Sequence, residues 1–218
     1  MVLRHNRKRA LQLRRIWSKF VGKPVLNIKV DSQGEIPDYP ALYVANHRSF
    51  ADPIILSAYF DALVVAKAEV SRYPIINVGA ELTGVIWVDR QNQDSRKDAR
   101  SKITEILQSG HNVLVFPEGT VGMRQGTLPF RFGAFMEAAR NNIPVVPVAL
   151  EYKHPSDLWT LPKFVPQYFR QFSKPVTYTK LHFGPPMTES DGTNLKEKAE
   201  AWINQSLTSM QSGWSEIF

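Results

Sequence analysis

Short uninterrupted apolar runs alternate along this chain with longer segments in which apolar residues return every three or four positions. ALYVAN (41–46), DALVVAKAEV (61–70), GVIWVDR (84–90), NVLVFP (112–117) and IPVVPVAL (143–150) are runs of the first kind. Their length, and their enrichment in valine and isoleucine between polar or turn residues, predict strands buried on both faces. PIILSAYF (53–60), SRKDARSKITEILQSG (95–110) and FRFGAFMEAARN (130–141) are of the second kind. In the middle one, Ile103, Ile106 and Leu107 share a face and Gly110 supplies a stop just past the last turn. From Glu151 the pattern is less regular until VTYTKLHF (176–183) and a final helix near Asn194 to Met210.

Strands alternating with helices of this length predict an α/β fold: a single domain with a mainly parallel central sheet flanked by helices. In such sheets chemistry collects beyond the carboxyl ends of the strands. The polar, non-periodic residues fall at those ends: Asn46 and His47 after LYVA, Asp89 and Arg90 after VIWV, Glu118 and Gly119 after VFP. These three strand ends are expected to meet at one cleft.

Charge changes the picture at the amino-terminal end. The formal net charge is +7, and residues 1–30 hold nine basic side chains and no acidic one, leaving 18 basic against 20 acidic in the rest. The excess is therefore a basic arm, 1–30, ahead of a nearly neutral body, 31–218. Leu13, Ile16, Trp17, Phe20 and Val21 recur in the arm at helical spacing with Arg14, Arg15 and Lys19 among them, which predicts a basic amphipathic helix. Two uses are open to it. It can pack on the domain with a solvated charged face, or lie in an anionic lipid surface, where each basic group contributes about 1 kcal/mol. No nucleic-acid motif accompanies the charge, so no nucleic-acid partner is expected. No apolar core of a signal peptide follows it, its single serine argues against a mitochondrial leader, and no run is long enough to span a bilayer.

Several chemistries lose their signals. There are no cysteines, no G-x-S-x-G elbow, no phosphate-binding glycine loop, and the five histidines lack metal-ligand spacing. What remains is a general base acting directly on a substrate group. His47 suits that role, since a neutral imidazole accepts a proton near pH 7 when an acid on its other nitrogen fixes its orientation. Asp52 is the nearest acid. On a regular helix the two would lie about 140° apart around the axis, so NHRSFAD (46–52) must be a loop that turns back before a helix starting at Pro53. Asp52 has a second reading as the N-cap of that helix, and both are compatible with one carboxylate.

NHRSFAD, GVIWVDR, FPEGT (116–120) and IPVVPVAL, in this order, resemble the four sequence blocks of the glycerolipid acyltransferases, the 1-acylglycerol-3-phosphate acyltransferase family. KAEVSRYPIINVG (67–79) and LPFRFGAFMEAA (128–139) are similar to further stretches of that family, and the resemblance runs from about Ala41 to Leu150. It implies that 31–218 is an acyltransferase domain in which His47 deprotonates a lysolipid hydroxyl and Asp52 orients it. The hydroxyl then attacks the thioester of acyl-CoA or acyl carrier protein, the co-substrate, with no cofactor, metal or acyl-enzyme. It also implies acceptor binding by Arg90, Glu118, Gly119 and Thr120.

One departure bears on the acceptor. The family often continues FPEGT with Arg-Ser, and here Val121 and Gly122 stand in those places. Arg124 or Arg131 is expected to supply the missing guanidinium, whose fork suits a phosphate. Lysophosphatidic acid is the expected acceptor, giving phosphatidic acid. A lyso-aminolipid or another lysophospholipid is the alternative that Val121 motivates, and a non-catalytic lipid-surface protein is the alternative from another class. No amino-terminal span of the kind many relatives carry is legible, so attachment is expected to be peripheral or monotopic, at the cytoplasmic face of a membrane. The aromatic and basic stretch 152–175 is expected to be a second membrane-contacting edge, part of an acyl channel, or an irregular cover for the core.

Overall fold

The computed structural model describes residues 6–72, 84–161 and 163–212. Seven strands form one sheet: β1 Ile28–Gln33, β2 Leu42–Ala45, β3 Ala62–Lys67, β4 Val85–Val88, β5 Asn112–Val115, β6 Val145–Tyr152 and β7 Thr177–Phe183, in the spatial order β1-β7-β6-β2-β5-β3-β4. Every neighbouring pair is parallel except β6 and β7. The parallel strands require crossovers, and three carry helices: α2 Asp52–Ser57 between β2 and β3, α3 Gln93–Gln108 between β4 and β5, and α4 Gly133–Arg140 between β5 and β6. α5 Phe164–Phe172 lies between the antiparallel β6 and β7, and α6 Gly192–Gln211 follows β7. The expected α/β sheet is present.

Side-chain alternation in the central strands builds two cores. Leu42, Val44, Val113, Val115 and Val145 face α3, α4 and α6 on one side. Tyr43, Ala45, Leu114, Val146 and Val148 face α2 and the segments after β6 on the other. β2 and β6 are buried along their whole length, which is why both read as continuous apolar runs. At the end of α3, Gly110 adopts φ +86°, the left-handed stop its position predicts.

Three elements differ from the sequence reading. β1 runs across position 30, where the arm was expected to end, and pairs with β7 at the sheet edge. The stretch after β6 contains α5. Helix α1, Arg7–Trp17, docks by a face other than its apolar stripe: Ala10, Leu11 and the adjoining Ser18 are buried, whereas Leu13, Ile16, Trp17 and Phe20 are each about half or more exposed. The Arg14 guanidinium donates to the Ala62 carbonyl and Arg15 pairs with Asp61 at 3.5 Å, so α1 crosses the amino end of β3. That is the edge of the sheet opposite the predicted cleft. Arg4, the Val21 side chain and residues Tyr73 to Gly79 of the KAEVSRYPIINVG stretch lie outside the described residues. Among the described residues, no helix is long and apolar enough to cross a membrane.

Candidate active site

β2 ends at Ala45, and the Asn46 side chain then acts as one more peptide group. Its amide donates to the Leu150 carbonyl and accepts from the Leu150 N–H, both at 2.8 Å, pinning the start of the loop to β6. The loop turns through Arg48 and Ser49 and enters α2 at Asp52, with Ala51 at the cap position and Pro53 in the first turn. Asp52 is thus not the N-cap. Its Oδ2 accepts the N–H groups of Arg48 (2.7 Å) and Ser49 (2.9 Å), which precede it, so the carboxylate closes the loop behind it and leaves the helix start uncapped.

The same oxygen meets His47 Nδ1 at 2.7 Å. The loop brings the pair together as the 140° argument required. Asp52 is fully buried, His47 stacks on Phe116 with ring centroids 4.2 Å apart, and 19% of the imidazole side chain remains exposed. With Nδ1 held, Nε2 is the nitrogen left for chemistry, and it makes no hydrogen bond among the described residues. The fourth donor to Asp52 is the Tyr152 hydroxyl, 2.6 Å from Oδ1. Burial and the Asp52 charge hold the Tyr152 phenol well above its ordinary pKa, so it donates at any neutral pH.

Glu118 lies at the tip of β5, as expected, but turns inward. It is 5% exposed, and its carboxylate accepts the His47 N–H and the Leu128 N–H, each at 2.7 Å. Burial raises its pKa against these two bonds and the nearby Arg48 and His47 charges. Gly119 adopts φ +77°, and a Cβ there would stand 2.7 Å from Arg131 Nε, so only glycine lets the Arg131 guanidinium lie over the turn. Arg131 in turn depresses the pKa of Arg90 at the end of β4, second to burial and opposed by Glu69. The structure therefore gathers His47, Asp52, Glu118, Gly119, Arg131 and Arg90 at one edge of the sheet. Thr120 and the Arg124 side chain are exposed, and what Arg124 contributes inward is its carbonyl.

That carbonyl belongs to an arrangement the sequence does not disclose. Arg48, 1% exposed, donates to the carbonyls of Gly122 (3.1 Å), Arg124 (2.6 Å) and Gln125 (3.1 Å) and to Glu151 Oε2 (2.9 Å). Gln211, at the end of α6, donates to the same Glu151 oxygen and to Gln125, both at 2.8 Å. The Gly122 N–H closes the unit on the His47 carbonyl at 2.7 Å. Arg48 and Glu151 thus tie the His47 loop, the loop after β5 and the last helix together. The one available signal was an acid and a tyrosine, Glu151 and Tyr152, directly after the apolar run IPVVPVAL.

A family model described as Acyltransferase matches residues 27–151. The lyso-ornithine lipid O-acyltransferase of Pseudomonas aeruginosa is 34% identical over 128 residues, 59% of this chain and 49% of that protein. The 1-acyl-sn-glycerol-3-phosphate acyltransferase of Neisseria gonorrhoeae is 30% identical over 129 residues, 58% and 51% of the two chains. A chloroplastic 1-acyl-sn-glycerol-3-phosphate acyltransferase of Brassica napus is 30% identical over 67% of this chain and 44% of its own. The chain spans about half the length of the curated relatives it matches. The crystal structure of the 1-acyl-sn-glycerophosphate acyltransferase from Thermotoga maritima superposes with a TM-score of 0.73, at 22% identity, over 96% of this chain and 83% of that one. At that identity the likeness concerns the fold.

Proposed function

Because the chain belongs to the acyltransferase family, we propose that it transfers a fatty acyl group from a thioester to the free hydroxyl of a lysolipid. The observation that carries this is the His47–Asp52 pair: Nδ1 is held at 2.7 Å by a fully buried carboxylate, and Nε2, on a partly exposed ring, makes no hydrogen bond among the described residues. Nε2 takes the proton of the acceptor hydroxyl as its oxygen attacks the carbonyl carbon of the thioester. The tetrahedral intermediate collapses, the C–S bond breaks, and the leaving thiolate takes the proton back from the imidazolium. Asp52 fixes the tautomer and stabilises the transient cation. A base positioned in this way contributes about 10² to 10⁴ in rate.

Arg90 and Arg131 favour an anionic acceptor headgroup. The Arg131 guanidinium raises the cost of charge on Arg90, a cost that an anion between them would offset. Lysophosphatidic acid is the first acceptor to test, with acyl-CoA or acyl carrier protein as donor. The second reading, a lyso-aminolipid acceptor, is favoured by Val121 in place of the family's arginine and by the name of the Pseudomonas relative. We place the enzyme peripherally at the cytoplasmic face of a membrane. The exposed stripe of α1 and the exposed cations Arg7, Lys8, Arg9 and Lys19 contact the anionic lipid surface.

Purified protein given palmitoyl-CoA and a panel of lysolipids, with products read by mass spectrometry, tests class and acceptor together. Acylation of lysophosphatidic acid, lost by at least about 10² in His47→Ala, is the expected result. Full turnover by that variant removes the proposed base, and no product from any acceptor, with palmitoyl-CoA or with palmitoyl acyl carrier protein in its place, leaves a lipid-surface protein without turnover. Arg131→Ala is expected to raise KM for the acceptor more than it lowers kcat, because Arg131 holds the headgroup and not the reacting atoms.

A further inference from the structure

Helix α5 is inside out. Gln167 and Gln171, four apart on one face, are fully buried, whereas Val165 and Phe169 are each more than 60% exposed and Tyr168 is 36% exposed. Gln167 is satisfied in place, whereas Gln171 is held through its oxygen alone and its buried Nε2 has no partner among the described residues. Gln167 Oε1 accepts the N–H groups of Thr160 and Leu161, and Gln171 Oε1 accepts the Ser49 hydroxyl at 2.6 Å. Ser49 belongs to the His47 loop. A second link follows, from the Trp159 N–H to the Arg48 carbonyl at 2.9 Å, and Phe50 packs on Trp159. The helix is therefore fastened by its polar face to the loop that carries the base and shows its apolar face outward. An apolar stripe of this kind is stable in water only at a cost that an apolar surrounding removes.

We propose that the Val165–Tyr168–Phe169 face of α5 is a lipid-contact surface at the mouth of the active site, seated in the headgroup–acyl boundary of an anionic bilayer. Nine residues make a helix of about 14 Å, too short to span the apolar layer and suited to lie along it. Lys163, just before the helix, and Arg170 on its flank are exposed cations that complement anionic headgroups. The contact lies at the carboxyl edge of the sheet with His47, whereas α1 lies at the amino edge. A lysolipid thus reaches the base from the bilayer without first leaving it. This rests on the lysolipid acyltransferase reading for its purpose, though not for its existence.

The test is the triple variant Val165→Ser, Tyr168→Ser, Phe169→Ser, with Val165→Ser, Phe169→Ser as a milder partner that keeps the Tyr168–Phe172 ring contact. Co-sedimentation with phosphatidylcholine vesicles containing phosphatidylglycerol should weaken about tenfold or more in the triple variant. Turnover of lysophosphatidic acid embedded in those vesicles should fall in step, and turnover of a short-chain acceptor dispersed as monomers should persist. Unchanged vesicle binding and unchanged turnover of the embedded acceptor in both variants overturn the proposal. So does a loss of self-association on gel filtration with vesicle binding intact, which would make the face a contact between copies. If the wild-type protein acylates neither acceptor while the variants still lose vesicle binding, the surface stands and the enzymatic reading falls.

Discussion

Asp52 accepts four hydrogen bonds with no exposed surface, and each removes a different freedom from the base. The two backbone donors fix the loop, His47 Nδ1 fixes the ring, and Tyr152 fixes the carboxylate from the β6 side. Tyr152→Phe should cost about 1.5–3 kcal/mol, the worth of a hydrogen bond to a charged group, seen as a lower urea midpoint. It should lower kcat with little change in KM, since the hydroxyl orients the base through Asp52 and does not reach the acceptor. Glu118 offers a test with a sign. Its carboxylate accepts two N–H groups, and an amide can serve only one of them, so Glu118→Gln is destabilising. Burial nonetheless raises the Glu118 pKa above its ordinary 4.5. As pH rises through 4.5 the unfolded glutamate releases its proton before the folded one does, so wild-type stability falls relative to the variant. The penalty of Glu118→Gln, measured by urea unfolding, should be largest near pH 4 and shrink toward pH 7. A penalty that grows with pH would mean that the two N–H bonds outweigh burial.

At the scale of elements, the clamp around Arg48 decides how the loops hold together. Truncating one partner of a buried ion pair strands the other charge, so Glu151→Ala should cost about 3–5 kcal/mol, where an exposed pair such as Lys67–Glu69 should cost less than about 1 kcal/mol. Denaturant midpoints of the two variants check the contrast. None of this clamp is legible in sequence, because Arg48 and Glu151 lie 103 positions apart and only the β2–β6 pairing makes them neighbours. The central strands are legible, since Leu42, Val44, Val113 and Val145 need only be apolar and consecutive strands parallel. β1 is not: IKVDSQ carries two apolar residues, and its place depends on a pairing with β7 that local pattern cannot encode. The His47–Asp52 approach is legible because five residues and a proline constrain it. α5 is illegible for the opposite reason. No helix stands out in the less regular stretch after Glu151, and periodicity would assign an apolar side to the core, whereas here hydrogen bonds to Ser49, Thr160 and Leu161 hold the glutamines inside instead.

For the whole molecule, the two helices that expose apolar stripes stand at opposite edges of one sheet. The turn after α1 packs against α2 and Phe172 of α5 packs on the core beneath α2, so the α2 face is the one both elements share, although Leu11 of α1 reaches the core on the opposite face. The other face is covered by α3, α4 and α6. If both stripes meet one bilayer, the face of α2 lies toward it and the base enters from the side. Shortening the arm cannot test this, because it also removes Leu11 from the core and Arg14 from the end of β3. Surface substitutions can: Leu13→Ser, Ile16→Ser and Trp17→Ser on α1 with Phe20→Ser in the turn after it, against the triple variant of α5. Two contacts made at once by one folded body contribute independently, so each set alone should weaken binding to anionic vesicles and the combination should multiply the two losses. Added salt should weaken all forms through the basic residues beside the stripes. If the α1 set alone leaves binding within about twofold of wild type while the α5 set weakens it, α1 does not share the contact. The α2 face then does not rest on the bilayer, and the approach of the lysolipid to His47 has to be sought from α5 alone.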